Sequence, residues 1–137
     1  MEPKYSELTG EDRDRLNEQR EIVRSAAVRY GLARLPADTA ALANLLQTII
    51  DDEIFGPDET YELQALGVVL GDIACDEGEF RWAIIEDEYG RDPTLRWKSS
   101  SVNVNALTII SKRVERGERP NVHALLNWIH EVPASYE

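Results

Sequence analysis

The sequence predicts an α+β fold in which a layer of helices packs on a small antiparallel sheet of three strands. Apolar residues recur at three- and four-residue spacing in five segments, which is the period of amphipathic helices. Between the third and fourth segments this period is lost, and aromatic and β-branched residues cluster instead. The short connections inside that cluster favour an antiparallel meander. The predicted order of elements is therefore α-α-α-β-β-β-α-α.

Capping residues set the expected ends of the five helices. Thr9 is the predicted N-cap of the first helix, with Asp12 as its capping-box partner and Gly31 in the left-handed position after its end. The expected N-caps of the other four are Asp38, Asp58, Asn105 and Asn121. The predicted ranges are 10–30, 39–53, 59–75, 106–116 and 122–131.

Two helices depart from the usual composition. Gly67 and Gly71 lie one turn apart in the third helix, and each costs about 1 kcal/mol relative to alanine. This pair predicts a close approach by another part of the backbone. Asp51, Asp52 and Glu53 place three acids at the negative end of the second helix, which opposes its dipole. Such a departure sometimes marks a functional position, and pairing with an arginine of the first helix is the structural alternative.

The three predicted strands cover residues 80–86, 94–98 and 102–104. Residues 88–93 read as a turn in which Gly90 supplies a positive φ and Pro93 ends the irregular stretch.

Length and composition indicate one domain spanning residues 1–137, because 137 residues can bury a substantial core without staples. The lone cysteine, Cys75, excludes an internal disulfide and favours a reducing compartment. Nearby acids are expected to raise the pKa of its thiol. Neither a signal peptide nor an apolar run of membrane-spanning length is seen, so we expect a cytoplasmic protein without membrane contact.

The formal net charge of -11 belongs to the middle of the sequence. Residues 51–92 hold 14 acidic and 2 basic side chains, and the remaining residues are close to neutral. Such a field repels nucleic acid and attracts basic proteins. The alternative interpretation is a solvated surface that only keeps the protein in solution.

No arrangement of residues predicts catalysis, a cofactor or a metal. The closest glycine spacing, Gly67 to Gly71, lies inside a helix whose amides cannot hold phosphate. His123 and His130 lie two helical turns, about 10 Å, apart and cannot share one metal ion.

The segment from Trp82 to Trp97 is the predicted binding region, because aromatic residues and charges surround a glycine turn. The candidate ligand- or partner-binding residues are Trp82, Glu86, Asp87, Glu88, Tyr89, Arg91, Asp92 and Trp97. In the structural alternative the tryptophans belong to the core and Arg91 pairs with Asp87 or Asp92.

Three blocks, 66–72, 82–96 and 109–118, resemble a bacterial family called domain of unknown function 3806. The most specific is the run Glu86-Asp87-Glu88-Tyr89-Gly90-Arg91-Asp92. The resemblance extends over about residues 61–126 and implies a bacterial source but no activity. It divides the domain into a family-like core, 58–131, and a helical N-terminal extension, 1–57. It also suggests that Lys112 and Arg113 pair with acids of the hairpin.

The leading functional hypothesis is a non-catalytic, acidic protein-binding module that engages a basic partner, for example a bacterial toxin that it neutralises. The alternative is a small-molecule-binding protein or hydrolase that uses the Trp82–Trp97 region with Glu86, Asp87 and Arg91. A third hypothesis is a homodimer formed through the sheet edge.

Overall fold

The computed structural model describes residues 2–136 and has the expected α+β architecture with an antiparallel sheet. The helices are α1 (Gly10–Ala27), α2 (Thr39–Asp51), α3 (Thr60–Glu77), α4 (Ile109–Glu115) and α5 (Val122–Glu131). The strands are β1 (Lys4–Ser6), β2 (Phe80–Asp87), β3 (Gly90–Trp97) and β4 (Asn103–Val104). Short 3₁₀ turns follow α1 and α5 and precede α4.

The prediction of three strands is wrong, because β1 adds a fourth at the edge of the sheet, whose order is β1-β2-β3-β4. The order along the chain is therefore β-α-α-α-β-β-β-α-α. Strand β1 has only three residues and no apolar run. Contacts distant in sequence fix it: Tyr5 pairs with Ile85, and its hydroxyl donates to the Ser101 carbonyl at 3.0 Å. Local sequence preference does not report such contacts.

Strand β3 begins at Gly90 and not near residue 94, so the predicted turn shrinks to Glu88 and Tyr89. Gly90 has the expected positive φ, 128°. Pro93 lies within the strand, opposite Ile84. This is tolerated because β4 pairs only further along β3, so no neighbour requires the N–H that proline lacks.

Three of the five predicted N-caps are confirmed by side-chain hydrogen bonds to the first helical turn. Thr9 and Asp12 form the full capping box of α1, and Asp38 and Asn121 cap α2 and α5. Asp58 does not cap α3, because Glu59 occupies the cap position. Asn105 makes no capping bond, since a 3₁₀ turn at Ala106–Thr108 separates it from α4.

Helix α3 lies at the centre of the core, and both of its glycines allow close packing. A Cβ atom on Gly67 would lie 2.5 Å from the carbonyl oxygen of Ala106 and 2.6 Å from that of Leu107. A Cβ atom on Gly71 would overlap the ring of Trp82 on β2. The predicted close approach by backbone is confirmed at Gly67. At Gly71 the prediction is wrong in its partner, because a sheet side chain, not backbone, takes the space.

The end of α2 has a Schellman motif with glutamate where glycine is usual. Ile54 N–H donates to the Ile49 carbonyl at 3.2 Å, and Glu53 N–H donates to the Ile50 carbonyl at 3.0 Å. Glu53 therefore has a φ of 53°, which costs an L-residue about 1–2 kcal/mol. The equivalent positions after the first and fourth helices are Gly31 and Gly117.

We expect Glu53→Gly to raise the free energy of unfolding by about 1 kcal/mol. Strain and an unfavourable dipole interaction are both removed, which outweighs the greater freedom of glycine in the unfolded chain. Urea denaturation measures the change. Glu53→Gln is the control, since it removes the charge and keeps the strain. Relief of the dipole interaction and loss of the exposed ion pair with Arg119 oppose each other, so the stability should change by less than about 0.5 kcal/mol. Equal gains for both variants would show that the backbone is not strained.

Candidate functional site

The structure divides the eight predicted binding residues into two groups. Six lie together around the β2–β3 turn and are called the hairpin end: Glu86, Asp87, Glu88, Tyr89, Arg91 and Asp92. Trp82 and Trp97 lie towards the opposite end of the same two strands. Trp82 and Glu86 lie four positions apart on β2, and this corresponds to a distance of about 13 Å along the strand. One ligand of ordinary size therefore does not contact all eight residues.

Trp82 attaches the sheet to the helices. Its Nε1–H donates to Asp72 of α3 at 2.9 Å, and its ring covers Gly71. Asp72 also accepts two hydrogen bonds from Arg20 of α1, at 2.7 and 2.8 Å. Trp97 lies opposite Phe80 and packs against the core. Both tryptophans thus have structural roles, as the structural alternative supposed.

Arg91 pairs with Asp12 at the start of α1, and the expected pairing with Asp87 or Asp92 is wrong. Its two terminal nitrogens donate to the two Asp12 oxygens at 2.8 and 2.7 Å. These bonds, helped by those from Thr9 and opposed by partial burial, hold the pKa of Asp12 well below its usual range. This bidentate pair joins the hairpin end to the helix layer.

The other charges of the hairpin end are four carboxylates, one of which, Glu86, lies directly opposite Lys4 of β1 in the sheet. Among the described residues, no Lys, Arg or His nitrogen lies within 4.0 Å of Glu86, Asp87, Glu88 or Asp92. Arg113 does not reach them and donates to the Ile109 carbonyl within its own helix. Asp87 accepts from the Tyr89 backbone N–H at 2.8 Å, which orders the turn. The Tyr89 side chain is 87% exposed at the apex.

Other acids of residues 51–92 lie elsewhere and are partly matched. The partners are Tyr30 for Asp52, Arg119 for Glu53, Arg20 for Asp72, His130 for Glu77 and Lys98 for Glu79. The charge of this segment is therefore not gathered on one surface.

Helix α1 contributes acids that the count over residues 51–92 left out. The hydrogen bonds from Arg91 to Asp12 raise the pKa of the Arg91 guanidinium, and the nearby charges of Glu86 and Glu11 add to this effect. Glu11, Asp14 and Glu18 line one shallow cavity together with Tyr61 at the start of α3. The hairpin end and these three α1 carboxylates together are called the acidic face. Arg15 lines the same cavity and Lys4 lies opposite Glu86, so two bases border these carboxylates, while Arg91 is bound to Asp12.

Cys75 is half-buried, and burial followed by the nearby Asp72 charge raises the pKa of its thiol to about 12. The predicted rise of the thiol pKa is confirmed.

Over residues 2–136, no three His, Cys, Asp or Glu side chains are grouped so that they could hold a metal ion. No helix in this range has the length and apolar composition needed to cross a membrane.

The family model described as "Domain of unknown function (DUF3806)" matches residues 43–125. The chain belongs to this family. The DUF3806 match starts earlier than residue 61 and takes in most of α2. It also contains the whole hairpin and Asp72, whereas Asp12 and Arg20 lie outside it.

A solved structure from Bacteroides thetaiotaomicron VPI-5482 shares the fold of this DUF3806 chain, with a TM-score of 0.78 and 19% sequence identity. The similarity covers 93% of this chain and 47% of that one, so the chain spans about half the length of its structural relative. No curated protein matches the sequence.

Proposed function

We propose that the chain is a non-catalytic protein-binding module whose acidic face docks on a basic surface of a partner protein. The proposal rests on four carboxylates around an exposed tyrosine at the hairpin end; among residues 2–136, no Lys, Arg or His nitrogen lies within 4.0 Å of any of the four. Carboxylates without a partner remain available to lysine or arginine side chains of another protein. A bacterial toxin with a basic surface is one protein of this kind.

The hairpin end is ordered before a partner arrives, which lowers the entropy cost of association. The Arg91–Asp12 pair fixes it to α1, and the Asp87–Tyr89 bond fixes the turn. Tyr89 presents a large amphipathic ring on this rigid support, as residues at the centre of protein interfaces often do. The negative field around it would accelerate the encounter with a basic surface and weaken in salt.

The alternative as a small-molecule-binding protein or hydrolase has less support. Glu86, Asp87 and Arg91, the charged residues on which it relies, line none of five cavities of 300–490 Å³ in residues 2–136. Trp82 and Arg96 of the same region do line one of these cavities, but without a carboxylate of the hairpin end. Homodimerisation through the sheet edge is also less favoured. The edge strands β1 and β4 have only three and two residues, and the open parts of β2 and β3 carry Arg81 and Pro93, residue types that discourage pairing with another strand. The proposed setting is the bacterial cytoplasm, where Cys75 would stay reduced.

We expect Glu88→Gln/Asp92→Asn to reduce retention of a basic partner about tenfold, since each lost charge-assisted bond contributes about 1.5–3 kcal/mol before solvent screening. The measurement is affinity capture from a lysate of the native host with the full chain as bait, followed by quantitative mass spectrometry. Both side chains are exposed, so the fold should be preserved.

The matched control is Asp76→Asn/Glu131→Gln, which removes the same two charges at exposed positions outside the acidic face. A partner retained equally by both double variants would contradict the proposal, because net charge alone would then explain its binding. Retention of the partner that does not weaken as the sodium chloride concentration is raised would also contradict the proposal.

A further inference from the structure

A group of arginines lies beside the open edge of β2, apart from the acidic face. Strand β1 pairs with Ile84, Ile85 and Glu86 only, so the first half of β2 has no strand neighbour on that side. There, a cavity of about 300 Å³ opens between the β1–α1 connection and the sheet. Its lining includes three arginines, from α1, β2 and β3: Arg13, Arg81 and Arg96.

None of the three arginines forms an ion pair with a carboxylate of residues 2–136, and Arg13 and Arg81 also make no side-chain hydrogen bond there. Within residues 2–136, no Asp or Glu oxygen lies within 4.0 Å of Arg13 or Arg81. Arg81 lies directly opposite Arg96 across the β2–β3 pair. Like charges in that position destabilise a sheet, so the pair opposes folding unless an anion lies between or beside them.

Arg96 is held in place by other groups. Its Nε and Nη2 atoms donate to the carbonyls of Ser100 and Ser99 at 2.6 and 2.9 Å. Its guanidinium also stacks over the Tyr5 ring, 4.2 Å from the ring centroid. Tyr5 lines the same cavity. Neither bond uses Nη1, so a fixed guanidinium still has donors for a ligand.

We propose that this cavity binds a small dianion, either a phosphate monoester or a dicarboxylate. The lining carries three guanidinium groups and one carboxylate, that of Glu7, so its formal charge is +2. A bound dianion neutralises this charge. Guanidinium groups match the oxygen spacing of phosphate and carboxylate and bind both in bidentate fashion. The net charge of the protein, -11, repels a polyanion that extends beyond the cavity. A small ligand inside the cavity experiences mainly the local positive field of the three arginines.

The test is a titration of the full chain with two probes, phenyl phosphate and succinate, at low ionic strength and followed by NMR. We expect saturable shifts of the backbone amides of residues 5–8 and 81–83 with at least one probe. Arg81→Gln should weaken that binding about tenfold, the effect of one lost charge-assisted contact. The probe that saturates identifies phosphate or carboxylate as the ligand group.

Arg29→Gln is the matched control, because Arg29 is an exposed arginine just beyond the end of α1 and outside this cavity. It should leave the affinity unchanged. Arg13→Gln provides a second variant whose loss of affinity should match that of Arg81→Gln. Three results would overturn the proposal. The first is equal weakening of binding by Arg29→Gln, and the second is the absence of saturation with both probes. The third is binding of an acidic peptide such as oligoglutamate when neither probe binds.

Discussion

Gly67→Ala is expected to destabilise the fold by about 3 kcal/mol, at the upper end of the cost of overpacking a core. The new methyl group would lie 2.5 and 2.6 Å from two backbone carbonyl oxygens, those of Ala106 and Leu107. Backbone cannot move aside as a flexible side chain can, so the 3₁₀ turn before α4 would have to separate from α3. Helix propensity alone predicts the opposite sign, a gain of about 1 kcal/mol. Urea denaturation of the two proteins therefore distinguishes the effects by sign.

Gly10→Ala is the control for this prediction. A Cβ atom there has no neighbour within 4 Å, so the change tests propensity without a clash. We expect the stability to stay constant or to rise by less than about 1 kcal/mol. If Gly67→Ala were as stable as Gly10→Ala, the packing of α3 against residues 106 and 107 would be looser than the structure shows.

The elements that the sequence predicted correctly are those specified by residues close together in the chain. The capping box of Thr9 and Asp12 spans three residues, and the apolar stripes of all five helices repeat within one turn. Close packing at Gly67 could also be predicted from the sequence, because glycine inside a helix lowers stability and is therefore expected only where a larger side chain does not fit. Its partner, the backbone at residues 106 and 107, could not be named from this pattern.

The features that the sequence did not predict depend on contacts between distant residues. Strand β1 exists because Tyr5 reaches Ser101 and Asn103 across the sheet. The Arg91–Asp12 pair joins residues 79 positions apart, whereas reasoning from neighbours suggested Asp87 or Asp92. Local spacing carries no information on such pairs.

The candidate site was therefore only partly predictable. The acids of the hairpin end were found, because all four lie within seven consecutive residues, 86–92. Their extension onto α1 through Glu11, Asp14 and Glu18 was missed, since counting charge along the chain separates surfaces that the fold brings together. The arginine-lined cavity was missed for the same reason: its three arginines come from three elements.

Asp72→Ala is expected to lower the free energy of unfolding by about 2–3 kcal/mol. The substitution removes the acceptor of three hydrogen bonds, two from Arg20 and one from the Trp82 indole. A fully buried ion pair that loses one partner costs about 3–5 kcal/mol. Asp72 and Arg20 are 28% and 31% exposed, so water compensates part of the loss and the expected value is smaller. Urea denaturation followed by tryptophan fluorescence measures it.

The role of Asp72 as a junction between α1, α3 and β2 is tested by comparing neighbouring and coupled substitutions. Asp76→Asn changes an exposed acid one turn further along α3 and should cost less than about 0.5 kcal/mol. In a double-mutant cycle, Arg20→Ala and Asp72→Ala should be non-additive by about 1 kcal/mol or more, because each removes the partner of the other. Additive losses would mean that the pair is solvated and that packing of Trp82 on Gly71 alone holds the sheet to the helices. A cost for Asp76→Asn equal to that of Asp72→Ala would show a general charge effect in place of a specific junction.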